Sequence, residues 1–344
     1  QQISKPIGKI ECDLDTRFKM IRRYEAASCN LICDIVRNAY KCDIVILCGG
    51  GIRSDKIHEK GIISYKDVLD LVPFQDPIII KKMSGKNVIK AIKHSILNLP
   101  KLDGRFAHVS GLKYSYDSRK DPTERLINVQ VNRYNEEEKF DEFNFIDIEP
   151  DKYYSVASRE YTMNGGDGFE SFGDPENETI VDDERGVPLS VLLRNFFWAI
   201  ETVNDAIKLT KEDQDEQDQN EKFVDDLNNL MTRLGINNQK NQNYVDEQKE
   251  DQDQSELQQI QKKIELLTVE PLIEGRIVDI ADTEKDDEDK SENNNNQLSV
   301  NVDENGDEKK LVLSPNYNKL PSYVNMTHKP KRKQSITAFI SNFE

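Results

Sequence analysis

The chain has 344 residues, 36% hydrophobic and 32% charged, and a net charge of −17. That acidity argues against nucleic acid or an anionic membrane surface as the main partner, and no run of 18 apolar residues is present to make a membrane-spanning segment. Of the 26 aromatic residues (13 Phe, 12 Tyr, 1 Trp), only Phe223, Tyr244, Tyr317, Tyr323, Phe339 and Phe343 lie beyond residue 200, so the first 200 residues can bury a core and the remainder mostly cannot offset its ordering entropy.

Residues 7–15 alternate as a strand. Between Ser28 and Tyr40, the residues Leu31, Ile32, Ile35, Val36, Ala39 and Tyr40 recur at helical spacing. A short apolar strand at 43–47 runs into Cys48-Gly49-Gly50-Gly51-Ile52-Arg53-Ser54. Three glycines let the backbone turn and pass close to another group. Arg53 then brings a planar, always charged donor fork suited to phosphate or carboxylate. The same loop also reads as a plain tight turn. Ser64 with Asp67 matches a capping box for a helix to Leu71, which Pro73-Phe74 ends. A strand at 78–80 follows, and Ser84 caps a helix to about Leu97.

From Arg105 the pattern turns to strands: a hairpin around Ser110-Gly111, then 126–131 and 153–157. Asn164-Gly165-Gly166-Asp167-Gly168 is a second glycine loop, and 189–200 is an apolar helix that closes the core. Helices and strands in the first half, antiparallel strands in the second, predict a mixed α/β (α+β) domain over 1–208.

Residues 209–344 read as an acidic Gln/Asn/Asp-rich tail, largely disordered, with short helices at about 222–235 and 255–268. Lys329-Pro330-Lys331-Arg332-Lys333 reads as a solvated charge run, with a phosphate-binding or localisation patch as the alternative. The five cysteines, Cys12, Cys29, Cys33, Cys42 and Cys48, all precede residue 49. Their odd number argues against a disulfide framework, their spacing fits no zinc pattern, and buried free thiols are the expectation. Asn177-Glu178-Thr179 and Asn325-Met326-Thr327 are glycosylation sequons, which do not fix a compartment. The reading leans towards the cytoplasm.

Four segments together resemble the C-terminal, substrate-binding domain of the 5′-nucleotidase family. They are Asn30-Leu31-Ile32-Cys33-Asp34, Cys48 to Ser54, Val72-Pro73-Phe74, and Asn164 to Phe169. Gly104 to Gly111 and Ala91-Ile92-Lys93-His94-Ser95 support them, in the family's order, over about residues 5–200. Residues 269–280, with Pro271 and Gly275-Arg276, are similar to a segment that follows this domain in some relatives, which makes 211–268 an insertion.

The resemblance implies a four-layer α/β/β/α fold that binds the nucleoside part of a nucleoside monophosphate or related nucleotide. It places Arg53 on the phosphate or ribose side, with Arg22 beside it. It places Phe74 and Tyr161 as two aromatics that sandwich the base, and Asp167 on the ribose hydroxyls. Gly50 and Cys48 fall in the loop beside them, Cys48 standing where the family has an amide side chain, whose paired hydrogen bonding a thiol cannot reproduce. Hydrolysis in such proteins belongs to an N-terminal metallophosphoesterase domain with two divalent metal ions. Its His-rich markers do not occur here, where the only histidines are His58, His94, His108 and His328. No catalytic residue, metal ligand or cofactor is therefore assigned to this chain. The start at Gln1-Gln2 reads as an excised piece of a longer protein. Two readings stand: the nucleotide-recognition half of a hydrolase, or a catalytically silent scaffold whose acidic tail recruits a protein partner.

Overall fold

The computed structural model describes residues 3–132, 145–212 and 268–283. In chain order the first elements are β1 (Pro6–Ile10), β2 (Leu14–Asp15), α1 (Phe18–Ile21), α2 (Ala27–Tyr40), β3 (Ile44–Cys48), β4 (Ile57–His58), β5 (Gly61–Ser64), α3 (Tyr65–Leu71), β6 (Pro77–Ser84) and α4 (Gly85–Ser95). There follow β7 (Ala107–Ser110), β8 (Leu112–Tyr116), β9 (Leu126–Asn132), β10 (Phe145–Asp147), β11 (Tyr153–Arg159), α5 (Glu160–Met163), β12 (Glu178–Val181), β13 (Val187–Pro188), α6 (Leu189–Glu212) and β14 (Ile277–Asp279).

A six-stranded sheet, ordered β12-β6-β11-β3-β7 with β13 also on β6, is the centre of the domain. Within it β11 and β3 run parallel and the other pairs are antiparallel. All five residues of β3 are buried, and its two-residue period divides them between two cores. Val45 and Leu47 face a core shared with α2, α3 and α6, including Val36, Val68 and Phe197. Ile44, Ile46 and Cys48 face a second core with Val88 and Ile92 of α4 and with Leu112, Tyr114, Val129 and Val131. Those last four belong to a second sheet, ordered β10-β9-β8-β14. The mixed α/β class holds: helices cover one face of the main sheet, and the second sheet and α4 cover the other.

Local chemistry explains several element ends. At α3, Ser64 Oγ accepts from Asp67 N while the Asp67 carboxylate accepts from Ser64 N, the reciprocal capping box that the sequence pattern predicts. Ser84 Oγ accepts from Asn87 N to start α4. Cys12, Cys29, Cys33, Cys42 and Cys48 are all free thiols. Asn177 of the first sequon is buried, its amide donating to Ser171 O and Phe172 O. No helix among the described residues is long and apolar enough to cross a membrane.

Two expectations need correction. The predicted hairpin at Ser110-Gly111 does not form: β7 pairs with β3, whereas β8 pairs with β9 and β14. The chain changes sheets at Gly111, whose φ is +69° and whose added Cβ would lie 2.0 Å from Asp43 O. Two adjacent strands with a glycine between them look the same in sequence whether they pair or part. The segment after residue 208 also differs from the expected tail, because residues 268–283 return to the domain and β14 lies parallel to β8. α6 itself extends to Glu212. The predicted helix at 222–235, all but the last residue of that at 255–268, and the Lys329–Lys333 patch lie outside the described residues.

Candidate functional site

β3 delivers the first glycine loop, and the loop's shape is set by its own chain. Gly49 N donates to Phe106 O at 2.8 Å and Gly50 N to Gly104 O at 2.7 Å. A Cβ on Gly49 would lie 2.4 Å from Ile21 O, and one on Gly50 would lie 3.0 Å from the Gly104 backbone. A Cβ on Gly51 would lie 3.0 Å from the Arg159 guanidinium. The glycines thus admit backbone and an arginine of this chain at close range. The buried His108 fixes the opposite side: its Nε2–H donates to Ile21 O at 2.7 Å. Burial holds that imidazole neutral, its pKa lowered to about 4 despite the hydrogen bond.

Beyond the loop, guanidinium groups and aromatic rings alternate. Arg22 lies over the Phe18 ring at 3.9 Å, and Arg53 lies 5.8 Å from Phe18 and 5.9 Å from Phe74. Arg159 lies over Phe74 at 4.4 Å and forms an ion pair with Asp76. These separations fall in the range of cation–π attraction. Arg53 is exposed, with its main-chain N–H held by Leu71 O at 2.9 Å. Arg22 Nε has no hydrogen-bond partner among the described residues. Burial, and then the neighbouring Arg53 charge, lower the Arg22 pKa. Two adjacent cations, one with an unpartnered donor, form a local anion-seeking patch on an acidic chain. Phe74 is 42% exposed, although the apolar side chains just before it, Leu71 and Val72, are buried.

The second glycine loop lies against a second exposed aromatic ring. Tyr161 on α5 is 51% exposed, and its hydroxyl donates to Asp167 Oδ1 at 3.0 Å. Gly166 lets the ring lie against the loop, since a Cβ there would meet it at 2.6 Å. Asp167 has φ +54°, a left-handed conformation that aspartate tolerates better than most residues. His94 Nε2–H donates to Asp167 O at 2.9 Å, and its ring meets Phe169 edge to face at 4.7 Å. From below, Lys81 Nζ donates to Met163 O at 2.8 Å and Phe172 O at 3.0 Å, pinning both ends of the loop.

Cys48 ends β3 and reaches α5. It is buried, its thiol interacts with Thr162, and Asp167 and Arg159 act on it electrostatically. Burial pushes its pKa up to about 12, so it meets its surroundings as a neutral thiol. The structure therefore brings Arg22, Arg53 and Phe74 together through Phe18 and Arg159, and Tyr161 and Asp167 through a direct hydrogen bond. Gly50 faces Gly104 rather than open space. Sequence reasoning missed Phe18, Lys81, His94, Arg105 and Arg159. Arg159 had a signal, since it ends β11 two residues before Tyr161, and Asp76 follows Phe74 by two. Arg105 is forked on Asp103 and reaches His94 Nε2 at 3.4 Å. Lys81 had none, because a lysine in a strand reads as solvent-facing.

Among the described residues no group of three His, Cys, Asp or Glu side chains is placed to hold a metal ion. The thiols of Cys29, Cys33, Cys42 and Cys48 are all buried and raised in pKa by that burial, which disfavours the thiolate a nucleophile needs.

A family model described as "5'-nucleotidase, C-terminal domain" matches residues 6–174. The mouse 5'-nucleotidase is 29% identical over 183 residues, covering 50% of this chain and 31% of the mouse protein. The trifunctional nucleotide phosphoesterase protein YfkN of Bacillus subtilis is 27% identical over 173 residues, covering 49% of this chain and 11% of that protein. The crystal structure of a 5'-nucleotidase precursor from Thermus thermophilus has the same fold. It gives a TM-score of 0.51 at 24% identity over 57% of this chain and 37% of that one. The chain thus spans well under half the length of these relatives.

Proposed function

Residues 6–174 form a 5′-nucleotidase C-terminal domain, and on that footing we propose that this chain is the nucleoside-recognition part of a 5′-nucleotidase-like phosphohydrolase. The observation that carries the reading is the pair of exposed aromatic rings, Phe74 and Tyr161, each joined to charged groups suited to the polar parts of a nucleotide. The base stacks between Phe74 and Tyr161; such stacking contributes about 1–3 kcal/mol per base and tolerates any base. Asp167 accepts hydrogen bonds from the ribose diol. Arg53 and Arg22 balance the phosphate, and the unpartnered Arg22 Nε supplies a donor. Cys48, held as a neutral thiol, meets the base edge as a small apolar surface, so base choice rests on shape more than on hydrogen bonding.

The described residues do not fit a metal pair. In this reading two divalent ions reside in a separate catalytic domain, and this chain binds the substrate and presents its phosphate to them. The substrate is a nucleoside monophosphate or a related nucleotide. Titration of adenosine and AMP into the full chain and into Phe74→Ala and Tyr161→Ala tests the proposal. Loss of affinity in both variants supports it, and equal affinity in all three sinks the stacking arrangement.

A further inference from the structure

β14 is far from α6 in sequence, yet the domain holds it through contacts of the kind that bind a peptide. The Glu25 carboxylate, buried on the loop before α2, accepts main-chain N–H groups of Glu274 and Arg276 at 2.7 Å and of Ile277 at 3.3 Å. The Arg276 guanidinium places Nη1 and Nη2 each 2.7 Å from one oxygen of the buried Asp34, and Nη1 also donates to Val109 O at 2.9 Å. Gly275, at φ +70°, turns the chain just before this arginine. The strand then pairs with the edge of β8, where Tyr114 N donates to Arg276 O at 2.8 Å. Asp279 closes the contact on Arg23 at 2.5 Å and Ser118 N at 3.1 Å. Val269, Ile277 and Ala281 are buried.

We propose that residues 268–283 are a separable strand, and that their cradle is a peptide-binding site that holds this segment even when it is not covalently continuous with α6. Main-chain pairing along a sheet edge supplies affinity without regard to sequence. Specificity comes from charge: with the strand gone, Glu25 and Asp34 lose the guanidinium that compensates them, so the cradle selects a segment with arginine at this position. A bidentate arginine fork meets Asp34 in a geometry that lysine cannot reproduce. The occupant is this chain's own segment, in cis or supplied by a cut or second chain.

The test uses the full chain with a specific protease site inserted after Gln239, cut after folding. The two fragments are expected to elute together under native conditions. A synthetic peptide of residues 266–285 is expected to displace the cut fragment on prolonged incubation. The same peptide with Arg276→Ala is expected to compete more than about 100-fold less well, as for removal of one partner of a buried ion pair. Fragments that separate under native conditions overturn the proposal, as does equal competition by the Arg276→Ala peptide.

Discussion

The Tyr161 hydroxyl donates to Asp167 Oδ1 at 3.0 Å, so the exposed ring proposed to stack on a base also aims the carboxylate proposed to hold the ribose. Tyr161→Phe separates the two roles. The ring is retained and the site is exposed, so stability is expected to stay within about 0.5 kcal/mol of wild type. Adenosine affinity is expected to fall about 3–10-fold as Asp167 loses its orienting donor. For 2′,3′-dideoxyadenosine, which lacks the diol, calorimetry is expected to show no difference between the two proteins.

Lys81 makes a related prediction about the loop. Its ammonium holds Met163 O and Phe172 O, the two ends of the segment that carries Asp167. Lys81→Met fills similar space and leaves both carbonyls without this donor. Urea unfolding is expected to show a loss of about 1–3 kcal/mol. Adenosine binding by the folded variant is expected to weaken as well.

His108 gives a pH dependence with a definite sign. In the fold its pKa is about 4, against 6.5 for the free side chain. Between these values the unfolded chain binds the extra proton, so stability rises with pH through this window and falls as pH drops. Above 6.5 the group is neutral in both states and adds no slope. The full difference corresponds to about 3 kcal/mol. Urea midpoints at about pH 7.5 and about pH 4 for wild type and His108→Gln isolate it: wild type is expected to lose about 2–3 kcal/mol more than the variant over that range.

The Arg276–Asp34 pair predicts non-additivity. Burial opposes the arginine's charge, but Asp34 and Glu274 outweigh it and keep the guanidinium charged. Asp34→Leu leaves that charge buried without its fork partner and is expected to cost about 3–5 kcal/mol. Asp34→Leu combined with Arg276→Met is expected to recover most of the loss. Thermal unfolding of the singles and the double checks it, and strict additivity would contradict the coupling.

Local signals in the sequence were legible and long-range ones were not. The Ser64–Asp67 capping box and the α2 apolar spacing are written within one or two helical turns, and both elements form where that chemistry predicts. The partition of β7 and β8 between sheets depends on partners far away in the chain, β3 and β9, so the glycine between them misled. Residues 268–283 were legible only through the family resemblance; what docks them is Glu25 and Asp34, more than 200 positions upstream, at separations of 251 and 242 residues from Arg276. At the site, Phe74, Tyr161 and Asp167 were nominated through the family resemblance, and Arg53 also through its glycine loop. Their supports were not, because Lys81, His94 and Arg159 work through carbonyls and ring faces that only the fold supplies. The glycines of the first loop were legible as close-approach positions, but what approaches Gly49 and Gly50 is this chain's own backbone.

Calorimetric titration of AMP into the full chain and into Phe74→Ala tests the central claim most directly. Phe74 is exposed and lies in no helix or strand, so its truncation leaves the fold intact, which the thermal transition verifies. The stacking arrangement predicts that AMP binds wild type and that Phe74→Ala binds it about 5–150-fold more weakly, the loss expected for removing one stacking face. Wild-type and variant chains that bind AMP equally, or a folded wild type that binds none, would contradict it.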